Sequence, residues 1–415
     1  MTRRVVVAGN FSFPTGSAAA ARVRNLALGL QANGAQVQVW PLAPPERVTP
    51  VSAESLPLTT RRFSRRPLPT PQPGRLAAAR RRALWFAGFY GVTWPAYRAL
   101  AHSLHTGECD LFIGYGRSAA QLWPLVRLCR RHHVTTILDV VESLAQFHGL
   151  GGRLNPVYWD TAVGTGRLPL QFDGLTVIAR PLAELYRRLG HPRILVLPGL
   201  EHWPTESPAF APSRSSKPPF RLVYVGALLE RDDPAFLLEM MRQLRWRGVP
   251  VTLDIIGRYA TDASGRAFAE QVQRDALLNQ AVRLLGYVGD AEFVRRLQTA
   301  DGFVLTRRQA QAERFSFPTR LVELLKFGRI LFVSEVGDIS DYLRPGQDAV
   351  LLPTSEPRVA AARVEEALSN PERAQEIGHQ GRQRGAYCFD RTYHAARLLR
   401  FVEQIEQTRS SQATG

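Results

Sequence analysis

Short apolar runs recur along the chain, and most are followed by a stretch in which apolar residues return every three or four positions. Arg4 to Ala8 reads as a buried strand and Gly9 to Ser17 as a loop punctuated by glycine and proline. Val23, Leu26, Ala27 and Leu30 mark one face of a helix that ends at Asn33-Gly34, before a strand from Gln36 to Trp40. Residues 41 to 75, rich in Pro, Ser and Arg, predict irregular surface. The alternation resumes with a strand at Leu111 to Gly114, a helix around Ala119 to Arg131 and a strand at Thr135 to Val140. A strand and turn at Phe172 to Arg180, a helix at Ala183 to Leu189 and a strand at Ile194 to Leu197 follow. Glu201 to Pro219 is Pro-, Ser- and Ala-rich and reads as a linker. Beyond it, strands are expected at Arg221 to Val225, Val251 to Ile256, Val282 to Leu285, Gly302 to Thr306, Ile330 to Val333 and Ala349 to Leu352. Helices are expected near Ala360 to Leu368 and from about Asp390 to Gln407. This pattern predicts an α/β protein with two doubly wound domains facing across a cleft, at residues 1–200 and 220–389, joined by a linker at 201–219. No internal repeat is visible, which sets solenoids and propellers aside.

Composition adds charge to this picture. At 415 residues the chain has room for two domains, each with a full core, and its 45% hydrophobic content predicts a soluble globular protein. The formal net charge is +17, carried almost wholly by arginine, since Lys217 and Lys326 are the only lysines. A GC-rich genome accounts for arginine over lysine but not for the excess of positive charge, which points to an anionic partner: nucleotide, anionic lipid or nucleic acid. The charge is spread along the chain without a recognised nucleic-acid module, so nucleic acid is not the expected partner. Cys109, Cys129 and Cys388 are widely spaced and form neither a disulfide framework nor a zinc motif. The first apolar run is too short for a signal peptide, and none approaches the roughly 18 to 20 residues of a membrane span. The expectation is a cytoplasmic protein.

Candidate chemistry concentrates between Arg307 and Leu343. Arg314 to Gly328 reads as a loop and a short helix closed by Gly328, followed by a strand and a loop in which Asp338 or Ser340 can cap the next helix. A helix N-terminus beside strand ends favours an anion. Arg320 and Glu323, three apart, share a helix face, one offering cationic donors and the other a carboxylate able to accept both hydroxyls of a cis-diol. A sugar nucleotide presents a diphosphate and a ribose diol. The plainer alternative is an ordinary surface ion pair.

The segment Phe317-Pro318-Thr319-Arg320-Leu321-Val322-Glu323, followed by Gly328 and a hydrophobic strand, resembles the donor-binding signature of the family-4 (group 1) retaining glycosyltransferases of the GT-B fold. The resemblance implies that Glu323 holds the donor ribose and that Phe315, Ser316, Phe317 and Pro318 lie against the donor, largely through backbone N–H groups. The commoner pattern has a second glutamate eight positions upstream, whereas Glu313 stands ten before Glu323. Gly226-Ala227-Leu228-Leu229-Glu230-Arg231 is similar to the Gly-(Ser/Arg)-Leu-x-x-Lys of the same group, which implies that Gly226 and Arg231 approach the donor diphosphate. Tyr287 and Val288 are implied to line the base pocket and Gly16 to sit in a phosphate-facing loop. Leu138-Asp139-Val140-Val141-Glu142 resembles an Asp-x-Val-Glu ending in a subgroup of the family, which implies Asp139 and Glu142 as catalytic carboxylates. Strand-end carboxylates also serve simply to cap or solvate a loop. In GT-B proteins the last helix, here at about 390–410, returns to the first domain.

The activity implied is metal-independent transfer of a sugar from a nucleoside diphosphate donor, with no cofactor. A basic cluster, Arg80, Arg81 and Arg82, abuts an aromatic run that includes Trp85 and Phe86, as an interfacial membrane anchor requires; a core helix after a solvated basic turn is the other reading. The anchor would place the protein on the inner face of an anionic membrane, with a lipid-linked or cell-envelope glycan as acceptor. A catalytically silent GT-B protein that binds an anionic membrane or polyanion is the alternative function.

Overall fold

The computed structural model describes residues 2–14, 17–43, 57–63, 84, 86–142, 155–203, 219–260, 262–310 and 313–413. The chain divides into two compact units, residues 1–202 with 391–415, and residues 203–390.

The first unit is built on seven parallel strands: β1 (Arg4–Gly9), β2 (Gln36–Pro41), β3 (Thr59–Thr60), β4 (Leu111–Tyr115), β5 (Thr135–Val140), β6 (Gly174–Val177) and β7 (Ile194–Val196), in the order β3-β2-β1-β4-β5-β6-β7. The unbroken apolar runs of β1 and β4 suit strands buried on both faces, since crossover helices cover a parallel sheet on both sides. Gly9 lets β1 and β4 end in close approach, because a Cβ there would lie 2.1 Å from the Tyr115 carbonyl oxygen. The helix Ala18–Ala32 starts at Ser17, whose hydroxyl accepts from the Ala20 N–H. It buries Val23, Leu26, Ala27 and Leu30 in the same core as Ala395, Leu398, Val402 and Ile405 of the helix Arg391–Ala413. A Cβ on Gly29 would stand 2.5 Å from the Arg391 carbonyl oxygen, so the two helices meet where only glycine fits. Glu406 adds a two-pronged bond to Arg3 at 2.8 and 2.9 Å.

The second unit repeats the design with β8 (Phe220–Val225), β9 (Val251–Ile256), β10 (Val282–Gly286), β11 (Gly302–Leu305), β12 (Ile330–Ser334) and β13 (Val350–Leu352), in the order β10-β9-β8-β11-β12-β13. Its core joins β8 and β9 to Phe236, Leu237, Met240, Met241 and Leu244 of the helix Pro234–Trp246. Two local expectations change. The helix after β12 is only Ile339–Tyr342, and Asp338 makes no side-chain capping bond to it. The helices Pro156–Gly166, Ala263–Arg274, Ala276–Ala281, Asp290–Gln298 and Pro371–Phe389 are additions to the sequence reading.

Candidate functional site

All six strands of the second unit run parallel, so their C-terminal ends emerge on one edge of the sheet, where open α/β sheets bind ligands. At the end of β8 the chain passes Gly226 into a tight turn, Leu228 to Asp233, that contains the 3-10 helix Glu230–Asp232. Leu228 and Asp233 hold φ of 45° and 50°, a region costly for side chains of this kind and kept only where neighbours enforce it. Leu228 is fully buried. Asp233 caps the following helix by accepting from the Phe236 N–H. The turn is tied down from three directions. Leu229 N–H donates to Asp232 at 2.9 Å, and Glu230 N–H donates to Asp262 at 3.0 Å. From the end of β11, the Thr306 hydroxyl donates to the Asp232 carbonyl and Arg308 N–H to the Arg231 carbonyl, while the Arg308 guanidinium pairs with Glu230 at 2.6 Å. Arg307 approaches Asp232 at 3.6 Å and donates its backbone N–H to Ser334 at the end of β12.

On this fastened turn Arg231 itself is exposed, and its side chain makes no hydrogen bond or ion pair among the described residues. Most arginines around it are paired with carboxylates. A cation held by its backbone and left open at its head group is arranged to meet an external anion. On the same strand end Tyr224 is buried, its phenol pushed up first by burial and then by the Asp232 charge, against the opposing pull of Arg307 and Arg320. It therefore stays a protonated donor at any physiological pH.

The helix Thr319–Leu325 supplies the second half of the site. Leu321, Val322, Leu324 and Leu325 face the core, leaving Arg320 and Glu323 half-exposed together and 3.6 Å apart. Phe315 and Ser316 are half-buried, but Phe317 turns its ring inward against Tyr342 and Phe389, with centroids at 5.8 and 5.5 Å. That corrects its expected place against a donor: only its backbone remains available. Pro318, also buried, has no N–H and cannot donate to a phosphate. Glu313 opens the 3-10 helix Glu313–Phe315, and its side chain lies outside the described residues. At the end of β10, Tyr287 is 76% exposed with the Arg258 guanidinium 5.9 Å above its ring, a cationic and aromatic surface beside half-buried Val288.

The two first-unit carboxylates part company. Asp139 is fully buried, its two oxygens taken by Arg22 at 2.7 and 2.8 Å and by the Thr176 hydroxyl at 2.8 Å. Arg22 also donates to the carbonyls of Leu197 and Pro198. The catalytic expectation for Asp139 is therefore corrected: with no exposed oxygen it cannot reach a substrate, and it fastens the strand ends instead. Glu142, just past β5, is part-exposed and paired with Arg117 at 2.7 Å. Gly16, Arg80, Arg81, Arg82 and Trp85 lie outside the described residues; Phe86 is half-buried and stacks on Tyr90 at 6.3 Å. Among the described residues no group of three or more His, Cys, Asp or Glu is placed to hold a metal ion, and no helix is long and apolar enough to cross a membrane.

Comparison with solved structures matches the whole chain. Sucrose-phosphate synthase from Thermosynechococcus elongatus is 17% identical with a TM-score of 0.70, over 98% of this chain and 100% of that one. Anabaena Alr3699/HepE in complex with UDP and glucose is 14% identical with a TM-score of 0.65, over 99% and 100%. The fold is GT-B. A third GT-B relative in structure, the lipopolysaccharide outer core galactosyltransferase WaaB, is 13% identical with a TM-score of 0.56, over 92% of this chain and 99% of that one. In sequence, residues 207–384 match the family model "Glycosyl transferases group 1", which spans the described part of the strand-end site. That finding corrects the family-4 resemblance drawn from the sequence: the match is to group 1 as a whole, and no comparison assigns family 4. No curated protein matches the chain in sequence.

Sequence reading missed the residues that hold the GT-B strand-end turn in place: Tyr224, Asp262, Thr306, Arg307 and Arg308. The available signal was the Thr-Arg-Arg directly after an apolar run, at a position where a parallel strand delivers its last residues to the ligand edge.

Proposed function

We propose that the chain is a glycosyltransferase that moves a sugar from a nucleoside diphosphate donor to an acceptor hydroxyl, with retention at the anomeric carbon. The observation that carries this reading is Arg231: an exposed guanidinium, unpaired among the described residues, on a turn fastened to the ends of β8 and β11. The departing nucleoside diphosphate gains negative charge in the transition state, and Arg231 with Arg320 supplies fixed positive charge for it without a metal. Glu323 accepts from the ribose hydroxyls, and Tyr287 with Val288 borders the base. The backbone of Phe315 to Phe317 seats the donor phosphates, and Gly226 lets the main chain approach them. UDP in the Anabaena relative supports a uridine donor. Glu142, the part-exposed carboxylate of the first unit, is assigned to the acceptor hydroxyl, with Arg117 holding it in place.

Calorimetric titration of UDP-, GDP- and ADP-sugars tests this, together with release of free sugar, in wild type, Glu323→Ala and Arg231→Ala. Saturable binding of one donor, lost in both variants, is expected; no binding of any donor sinks the proposal. The acceptor is assigned to the cell envelope, in keeping with the lipopolysaccharide core substrate named for WaaB, and the protein to the inner membrane face. Exposed Leu84 and Trp94 favour membrane contact. Should donors fail while anionic vesicles bind, the catalytically silent membrane protein is the reading left.

A further inference from the structure

The first unit carries a groove of about 410 Å3 between the helices Thr93–His105 and Ala119–Arg131. Residues from Ala119 to Arg131 line it, so it runs the whole length of the second helix, about 18 Å at 1.5 Å per residue. Both helices contribute an aromatic ring to the groove. Tyr97 lines it, braced from behind by Trp94 at 5.7 Å with nearly parallel rings, and half-buried Trp123 faces the same space. The cations are Arg127 and Arg131, one helical turn apart and exposed. Neither guanidinium has a hydrogen bond or ion pair among the described residues, and no carboxylate lines the groove. Other arginines of this unit, Arg98 and Arg187 among them, also show no carboxylate partner among the described residues; Arg127 and Arg131 differ in sharing one helix face with Trp123, at steps of four residues, along the groove.

We propose that this groove is a binding track for an anionic glycan. Its aromatic faces suit the apolar C–H faces of sugar rings, and its two forked cations suit carboxylate or phosphate groups that recur along a chain. A single small anion would call for donors converging on one point, whereas these are spread along a helix. A flat bilayer would leave a concave floor unfilled. The preference for a glycan over other polyanions rests on the glycosyltransferase reading; the groove's chemistry does not.

The test is calorimetric titration of the full chain with hexagalacturonate, with maltohexaose as the neutral control, and with oligothymidylate and phosphatidylglycerol vesicles as competing polyanions. Wild type is expected to bind hexagalacturonate best. The double variant Arg127→Glu, Arg131→Glu should weaken that binding by about tenfold or more, and Trp123→Ala should weaken both sugars. Arg127→Gln, Arg131→Gln is the milder pair should the charge reversal fail to fold. UDP-sugar binding is measured in parallel and should not change in any of these variants. Loss of all donor binding in wild type would sink the transferase reading alone, with the groove still judged by hexagalacturonate. Hexagalacturonate that fails to bind, or binds the arginine variants as tightly as wild type, overturns the proposal. So does tighter binding of oligothymidylate or vesicles that the arginine substitutions abolish.

Discussion

Arg231 and Asp139 show how differently two charges of one chain are used. Arg231 has its backbone fixed and its head group exposed and unpaired among the described residues, so its removal is expected to spare stability and hurt binding. Arg231→Ala should leave the melting temperature unchanged and weaken the donor by about 1.5–3 kcal/mol, the range of a hydrogen bond to a charged group, read as a shift in calorimetric Kd. Asp139 is the reverse. Its neutralisation in Asp139→Asn strands the buried Arg22 guanidinium and should cost about 3–5 kcal/mol, read as a fall in the urea midpoint. Glu142→Gln, by contrast, should leave that midpoint in place. His191 adds a dependence on pH. It is buried, with Nε2 facing the Phe172 carbonyl and Nδ1 accepting the Arg193 N–H, an arrangement that needs the neutral ring. Burial, foremost, holds its pKa below the usual 6.5. The unfolded chain therefore takes up the proton first as the pH falls. The stability this residue contributes is complete above about 6.5 and drains away toward its lower folded pKa. Melting temperatures between pH 7.5 and 5 should fall, and fall less in His191→Gln.

Among the elements, the turn after β8 and the helix Pro371–Phe389 mark the two limits of what the sequence discloses. The place of Arg231 on a strand-end turn was legible because a glycine-ended apolar run precedes it, whereas its role came only from the family resemblance. The fastening of that turn was not legible, because Thr306 and Arg308 lie far along the chain and meet it only when β8 and β11 pair. Thr306→Val keeps the shape of that buried side chain and deletes its bond to Asp232, so it should weaken donor binding several-fold with a loss of stability of about 1–3 kcal/mol. The helix Pro371–Phe389 escaped notice for another reason: much of its buried face is glycine. Gly378, Gly381 and Gly385 recur at helical spacing, and a Cβ on the first two would stand 2.6 and 2.3 Å from the carbonyl oxygens of Gly328 and Asp348. A search for apolar periodicity passes over a face made of absent side chains. Gly378→Ala should push the helix off β12 and cost about 1–3 kcal/mol in thermal unfolding. Strands were the easiest elements to place, since double burial writes them as unbroken apolar runs.

Taken whole, the molecule is two sheet-based units of unlike continuity. The second is one uninterrupted piece of chain, residues 203–390, with its own core. The first is assembled from the chain's beginning and its last helix, and Ala395, Leu398, Val402 and Ile405 fill its core beside Val23, Leu26 and Leu30. The fold class and both sheets were readable from the alternation of strand and helix, except for the two-residue β3, which lies in the stretch read as irregular surface. The partner of the helix Ala18–Ala32 was not readable from the residues near it, because it lies more than 350 positions away. During synthesis this order of assembly becomes a timetable. The second unit can close as soon as its last strand and helices leave the ribosome. The first, although made earliest, keeps an open apolar face until the helix Arg391–Ala413 has emerged to cover it.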